Sequence, residues 1–311
     1  MMEIISFSKN IILPKKKRYI ALGVFDGVHL GHQKLIKLTS DKAKKNNGIS
    51  IVATFNPHPE KIITPGSNVF LLTTLEERIN LIRDLDVDVF LVIRFTKTMS
   101  KMSPEDFISK ILVHGLGVKE IFVGFNYKFG YQGNGNTDVL KKYGKSYLFK
   151  TNLLKPIVIN HTIVSSTIIK DYIKLGDIEK AKKFLGHNVT ISGKVISGKG
   201  RGRKLLNFAT ANLETPSDKI LPVNGVYLVK IKMDNKIYYG LMNIGVKPTF
   251  RETERTIEVH IINFNKKIYN KKVVVNIIQK IREERYFNHP NLLKKQIEDD
   301  ILTAHKIISD M

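Results

Sequence analysis

Two histidines three residues apart, His29 and His32 in His29-Leu30-Gly31-His32, are the side chains of this sequence best placed for chemistry on a nucleoside triphosphate. Ile20-Ala21-Leu22-Gly23 ahead of them reads as a strand, Val24-Phe25-Asp26-Gly27-Val28 as a turn, and the segment after His29 as a helix running to about Lys45. The first amides of a helix lack intrahelical partners and carry the positive end of its dipole, so such a turn cradles phosphate. Gly31 removes a side chain where the triphosphate must approach. The two imidazoles can leave the first turn on one side and donate hydrogen bonds to phosphate oxygens as charge builds at the α-phosphorus. Neither needs to act as a nucleophile. Taken alone, the pair reads equally as a loose metal pair or as surface residues.

A second candidate lies near the C-terminus, where Ile257-Glu258-Val259-His260-Ile261 alternates strictly. In a strand, the three apolar residues face a core while Glu258 and His260 share the opposite face. A carboxylate so placed can take a proton from a hydroxyl attacking phosphorus. A solvent-facing glutamate on an antiparallel strand has the same pattern. Upstream, Gly198-Lys199-Gly200-Arg201-Gly202-Arg203-Lys204 precedes Thr210-Ala211-Asn212. Glycines expose backbone amides and basic side chains neutralise phosphate, which suits an ATP-binding flap. An RNA-binding or catalytically idle basic loop has that composition too.

The elements that must carry these residues differ between the two halves. Residues 19–23, 50–55, 89–95 and 120–123 read as buried strands, separated by amphipathic stretches such as 33–45 and 75–85, the pattern of a parallel α/β sheet. Ligands in such sheets sit beyond the carboxyl ends of the strands, where His29 falls. A short helix capped by Asp177 and stopped at Gly186 marks the domain boundary, giving domains 1–186 and 187–311. Beyond it, residues 189–195, 225–233, 236–244, 256–264 and 272–278 alternate with period two, with a tight turn at Asp234-Asn235. Short alternating strands predict a small antiparallel β-barrel, and a C-terminal helix follows from about Leu292.

The 311 residues are 42% hydrophobic, as in a globular protein, and contain no cysteine, which excludes disulfides, thiolate metal ligands and cysteine nucleophiles. No apolar run approaches the ~18 residues that span a bilayer, and no signal-like N-terminus is visible, so a cytoplasmic protein without membrane association is expected. The formal charge of +23 is extreme. Because the basic residues are scattered, with dense groups only at Lys15–Arg18 and Lys199–Lys204, the charge reads as a solvated lysine-rich surface in preference to a nucleic-acid footprint. A field favourable to anionic substrates fits either case.

In its strand, turn, His-Leu-Gly-His and helix, the first half resembles nucleotidyltransferases with a His-x-Gly-His signature. It closely resembles the adenylyltransferase half of bifunctional riboflavin kinase/FAD synthetases. Thr54-Phe55-Asn56-Pro57-His58-Pro59 resembles that family's Phe-x-Pro-His-Pro segment, which implies nucleotide and flavin contacts from Asn56, Pro57 and His58. The stretch Val123–Gly130 resembles its glycine-rich flavin segment, with Asn126 at the polar contact. Ser165-Ser166-Thr167 and Lys170 resemble its triphosphate-gripping segment, so the resemblance implies ATP binding by Gly23, Phe25, Asp26, Gly27, Gly31, Ser165, Ser166, Thr167 and Lys170. Lys170 stands where the family usually has arginine, and it lacks the planar bidentate fork.

The second half resembles the riboflavin kinase domain of the same family, from Gly193-Lys194-Val195 through Thr210-Ala211-Asn212, Asn243–Thr249, Glu258 and Ile281–Phe287. The resemblance implies that Gly198, Gly200 and Gly202 bind ATP with Thr210 and Asn212, that the latter two hold Mg2+, that Glu258 is the base, and that Arg282 and Glu284 stand on the flavin side. The family's Gly-Phe-Pro-Thr-Ala-Asn is here Asn207-Phe208-Ala209-Thr210-Ala211-Asn212, losing a permissive and a fixed backbone position. The expected activity is Mg-ATP-dependent conversion of riboflavin to FMN, then adenylylation of FMN by ATP to FAD with release of pyrophosphate. Recipient flavoproteins are candidate partners. Two alternatives stand beside this expectation: an adenylyltransferase with an impaired kinase domain, and a basic nucleic-acid-binding protein on a nucleotidyltransferase scaffold.

Overall fold

The computed structural model describes residues 2–8, 11, 13–197, 210–246, 255–264 and 266–311. The chain divides into two compact units, Met1–Ser166 and Thr167–Met311.

The first unit is built on a six-stranded sheet in the order β1-β4-β3-β2-β5-β6. Its strands are β1 (Glu3–Ser6), β2 (Arg18–Leu22), β3 (Ile49–Asn56), β4 (Val89–Arg94), β5 (Val118–Gly124) and β6 (Lys150–Leu154), and a separate two-stranded hairpin, β7 (Val158–Ile159) with β8 (Thr162–Ile163), follows them in the chain. Every neighbouring pair in the six-stranded sheet is parallel, as the apolar runs predict. Both faces are covered, which is why those runs are nearly continuous. Ile20, Leu22, Ile51, Leu91, Ile93 and Ile121 pack on one side. Tyr19, Ala21, Val52, Phe90 and Phe122 pack on the other, against Leu35 and Ile36 of the helix Leu30–Lys45. Each such aliphatic side chain contributes roughly 1.5–3 kcal/mol through burial. The edge strands β1 and β6 fall outside the sequence expectation, because both are short and half exposed and so carry no apolar run.

The topology places the site. From β2 the chain runs to β3 and β4 on one side, then returns to place β5 on the other side of β2. That reversal creates the crevice at the carboxyl edge where open α/β sheets bind ligands. Gly23, Asn56 and Gly124, at the ends of β2, β3 and β5, share that edge.

In the second unit the helix Ile178–Leu185 begins at Asp177, whose side chain accepts from the Lys180 amide at 3.1 Å, and ends at Gly186 with φ 76°. A closed antiparallel barrel follows in the order β10-β13-β12-β11-β14-β9. The strands are β9 (Val189–Ile196), β10 (Thr210–Glu214), β11 (Gly225–Met233), β12 (Lys236–Gly245), β13 (Thr256–Ile261) and β14 (Lys272–Glu283). Asp234 and Asn235 turn β11 into β12 with φ of 49° and 60°, the left-handed pair of a type I′ hairpin. Ala211, Leu213, Ile231, Val259, Ile261 and Val273 fill the interior. On the outside, the C-terminal helix Pro290–Ser309 sets Ala304 against Val226, Leu228, Leu241 and Ile278.

One ion pair anchors that helix. Arg282 Nε donates to both Asp300 oxygens at 2.9 and 3.0 Å, and Arg282 Nη2 lies 2.9 Å from Asp300 Oδ2. Gln296 Nε2 donates to the same carboxylate at 3.0 Å, and Asp300 is 3% exposed. Removing one partner of a buried pair leaves the other charge uncompensated, so Asp300→Ala is expected to lower stability by roughly 3–5 kcal/mol. Urea unfolding of the full chain measures this, and an unchanged midpoint would count against the anchor.

Candidate functional site

The turn from β2 to the first helix is an unusual piece of backbone. Phe25, Gly27 and Val28 all have positive φ, at 55°, 82° and 41°. Only glycine takes such angles without cost, so the side chains of Phe25 and Val28 must be secured elsewhere, and both are 1% exposed. Asp26, 3% exposed, lies between them. Its carboxylate accepts from the amides of Leu72 and Thr73 at 3.2 and 3.0 Å and from the Thr73 hydroxyl at 3.3 Å. Gly27 N donates to the Thr73 hydroxyl at 2.9 Å. Arg78, buried in the helix Leu75–Arg83, donates to the Val24 carbonyl at 2.8 Å and to Thr54 Oγ1 at 3.3 Å. Ser166 Oγ donates to the Asp26 carbonyl at 2.9 Å.

This clamp delivers His29 as the N-cap of the helix Leu30–Lys45. His29 Nδ1 accepts from the His32 amide at 3.3 Å. The bond satisfies one helix-start donor and selects the tautomer, since an accepting Nδ1 leaves the proton of the neutral ring on Nε2. The two imidazoles stack with centroids 3.6 Å apart and planes 17° from parallel, and Phe25 meets His32 edge-on at 5.3 Å. Gly31 has a reason beyond phosphate access. A Cβ there would stand 3.1 Å from His29 Cε1 and 3.2 Å from its Nδ1, so the capping ring would have to shift by a few tenths of an ångström.

Burial, the neighbouring His29 and the Arg78 cation together hold the His32 imidazole well below the usual histidine range. Its Nδ1 is buried without a hydrogen-bond partner among the described residues. His32 is therefore a neutral ring at physiological pH, suited to donating one hydrogen bond and unsuited to carrying a resident positive charge.

Of the other predicted residues, Asn56, Pro57, His58 and Asn126 lie at or just beyond the carboxyl ends of β3 and β5, and Ser166 reaches the Asp26 turn. Asn56 is exposed at the end of β3, followed by Pro57 and by His58, which caps the helix Pro59–Ile63 by accepting from the Glu60 amide at 3.3 Å. Asn126 is exposed just beyond β5. Ser166 opens the helix Ser166–Lys174, on which Lys170 is partly buried, Thr167 is exposed, and Ser165 immediately precedes. Sequence reasoning missed Thr54, Thr73 and Arg78. The capping box at Thr74 and Glu77 marks the helix that carries Arg78, yet nothing in its spacing ties that helix to a turn some fifty residues earlier.

In the barrel, the register assembles the second group. Glu258 on β13 stands opposite Asn212 on β10 and opposite Asn243 on β12. Asn243 is in turn opposite Val226, and Val226 opposite Arg282, so one cross-strand row runs Asn212, Glu258, Asn243, Val226, Arg282. His260 pairs likewise with Thr210. Ile257, Val259 and Ile261 are buried and Glu258 and His260 are not, as the alternation predicts. Arg282 is committed to Asp300, and Glu284 accepts from Asn224 Nδ2 at 2.9 Å. Gly198, Gly200, Gly202 and the altered stretch Asn207–Ala209 lie outside the described residues.

A parallel α/β unit with a capped His-x-Gly-His turn, followed by a six-stranded barrel with a carboxylate between two asparagines, defines a nucleotidyltransferase joined to a kinase-type barrel. Residues 12–168 match the FAD synthetase family and residues 185–308 the riboflavin kinase family. The chain is 38% identical to the bifunctional riboflavin kinase/FMN adenylyltransferase of Buchnera aphidicola subsp. Schizaphis graminum, covering 98% of each chain. It is 35% identical to the enzyme of that name from Bacillus subtilis, covering 95% of this chain and 94% of the relative. The Escherichia coli K12 protein of that name is 31% identical, over 94% and 93%. The chain belongs to the bifunctional riboflavin kinase/FMN adenylyltransferase family. A crystal structure described as a macrolide-efflux protein from Streptococcus pneumoniae superposes with a TM-score of 0.86 at 27% identity over 98% of both chains. Among the described residues no helix is long and apolar enough to cross a membrane.

The depressed His32 has a consequence for stability. Below its ordinary value of 6.5, the unfolded chain binds a proton that the folded chain refuses, so this contribution is present above about pH 6.5 and is lost as pH falls. His32→Asn should flatten the decline between pH 7 and 5, where the wild-type ring adds a slope of at most about 1.4 kcal/mol per pH unit. Unfolding midpoints across that range measure it; parallel curves for the two proteins would contradict the neutral ring.

Proposed function

We propose that the barrel phosphorylates riboflavin to FMN with ATP and that the α/β unit adenylylates FMN to FAD, releasing pyrophosphate. The division of labour follows residues 187–311 and 1–186. The observation that carries the reading is the His29–His32 pair, held by the Asp26 clamp at the sheet's switch point and joined in one chain to the Glu258 row.

In the first unit the FMN phosphate attacks the α-phosphorus of ATP. The reaction needs placement and charge stabilisation more than covalent help. His29, with its proton on Nε2, and neutral His32 donate to phosphate oxygens, alongside the helix-start amides of Leu30 and Gly31. Ser165, Thr167 and Lys170 grip the triphosphate. Gly23, Phe25, Asp26, Gly27 and Ser166 act by shaping the turn. Asn56, Pro57, His58 and Asn126 contact the flavin.

In the barrel, Glu258 accepts the proton of the ribityl 5′-hydroxyl. Thr210 and Asn212 offer a hydroxyl and a carboxamide oxygen beside it, a donor set that suits a hard cation also ligated by phosphate and water. Mg2+ held by Thr210 and Asn212 would offset the charge on the nucleotide phosphates. Gly198, Gly200 and Gly202 complete the nucleotide site, while Arg282 and Glu284 support the flavin side. We place the enzyme in the cytoplasm, delivering FMN and FAD to recipient flavoproteins, without membrane or nucleic-acid partners.

The two sites separate by mutation. With riboflavin, ATP and Mg2+, His29→Ala is expected to accumulate FMN and make little FAD, and equal loss of both products would remove His29 from the second step. Glu258→Ala is expected to stop FMN formation yet still convert added FMN to FAD. Continued riboflavin phosphorylation by that variant would exclude Glu258 as the base. Chromatography of the three flavins reads both outcomes.

A further inference from the structure

The row that places Glu258 between Asn212 and Asn243 is asymmetric in chemistry. Adjacent strands lie about 4.8 Å apart, so the two asparagine backbones stand roughly 10 Å from each other with the carboxylate midway. Directly paired residues project from the same face. Met242, Ile244, Ile257, Val259 and Leu213, the alternate residues of the three strands, are buried, so all three polar side chains leave on the outer face.

A base must reach the hydroxyl it deprotonates, and that hydroxyl must in turn face the γ-phosphorus. With the nucleotide and its cation on the Asn212 side, the acceptor alcohol has to enter from the β12 side. Asn243 is the polar residue there. Its carboxamide has two donors and an acceptor, the complement of a polyol chain, and no hydrogen bond or ion pair occupies it among the described residues. Beyond it in the row comes Val226, 6% exposed and packed into the apolar cluster under the C-terminal helix, so the polar track ends at Asn243.

The geometry points to Asn243 as the residue that binds the ribityl hydroxyls of the acceptor and thereby sets its 5′-hydroxyl against Glu258. This rests on the reading of Glu258 as the base, and makes β12 the acceptor-specificity strand of the barrel.

The test is riboflavin phosphorylation kinetics in the full-length chain, with lumiflavin as competitive inhibitor. Lumiflavin has the same ring system with a methyl group in place of the ribityl chain, and its inhibition constant reads the kinase site alone. Losing a neutral hydrogen bond weakens binding by about tenfold. Asn243→Ala should therefore raise KM for riboflavin by about that factor, leaving KM for ATP and the lumiflavin inhibition constant unchanged. Asn243→Ser, which keeps a hydroxyl and less disruption, should fall between wild type and alanine. If lumiflavin inhibition weakens by the same factor as riboflavin binding, or KM for riboflavin does not move in a folded variant, Asn243 does not read the polyol. A matching rise in KM for ATP would place it on the nucleotide side and equally overturn the assignment. The Glu258→Gln variant separates the two readings: if it phosphorylates riboflavin normally the base is wrong, whatever Asn243 does.

Discussion

The buried Asp26 carboxylate is the interaction on which the first unit depends. A chain passing from strand to helix in a tight space has to adopt left-handed backbone at Phe25 and Val28, which carry side chains and pay about 1–2 kcal/mol each for it. Such a turn persists only when its surroundings over-determine it. The amides of Leu72 and Thr73 bind the carboxylate, Arg78 holds the Val24 carbonyl, and Ser166 holds the Asp26 carbonyl. Two distant stretches of chain, residues 72–78 and Ser166, thereby converge on one turn. The position of His29 at the helix start, and through it the tautomer and packing of both imidazoles, follows from that convergence.

Arg78 has two effects on the same site. Its guanidinium supports the turn, and its charge, together with burial, disfavours a second cation on His32. The helix start therefore presents oriented donors without a resident charge on His32. Donors aimed where charge develops act through preorganisation, which does not require them to be ionised.

The barrel positions its groups by register instead of by a clamp. A closed antiparallel sheet leaves no freedom to slip, because a shift of one residue would turn Val259 and Ile261 out of the core and Glu258 into it. The same closure that buries the interior therefore aligns Asn212, Glu258 and Asn243 across three strands. The Arg282–Asp300 pair at the far end of the row ties β14 to the C-terminal helix.

Local pattern determined a large part of this protein. The apolar runs of β2 to β5, the alternation around Glu258, the Asp177 cap and the Asp234-Asn235 turn are all governed by periodicity or by conformational preference within a few residues, and each is found where the sequence places it. The order of the motifs also carried the family. Only the tertiary structure decided the rest. The edge strands β1 and β6 exist because a neighbour offers unpaired backbone groups, not because their own residues demand it. Thr54, Thr73 and Arg78 join the site through contacts spanning 24 to 54 residues, and Asn243 joins Glu258 through barrel closure. Gly31, readable in sequence as clearance for phosphate, also stands against the His29 ring, a closeness that only the three-dimensional structure reveals. Hydrogen bonds and close approaches between distant segments leave no period in the sequence, since neither partner's position along the chain constrains the other's.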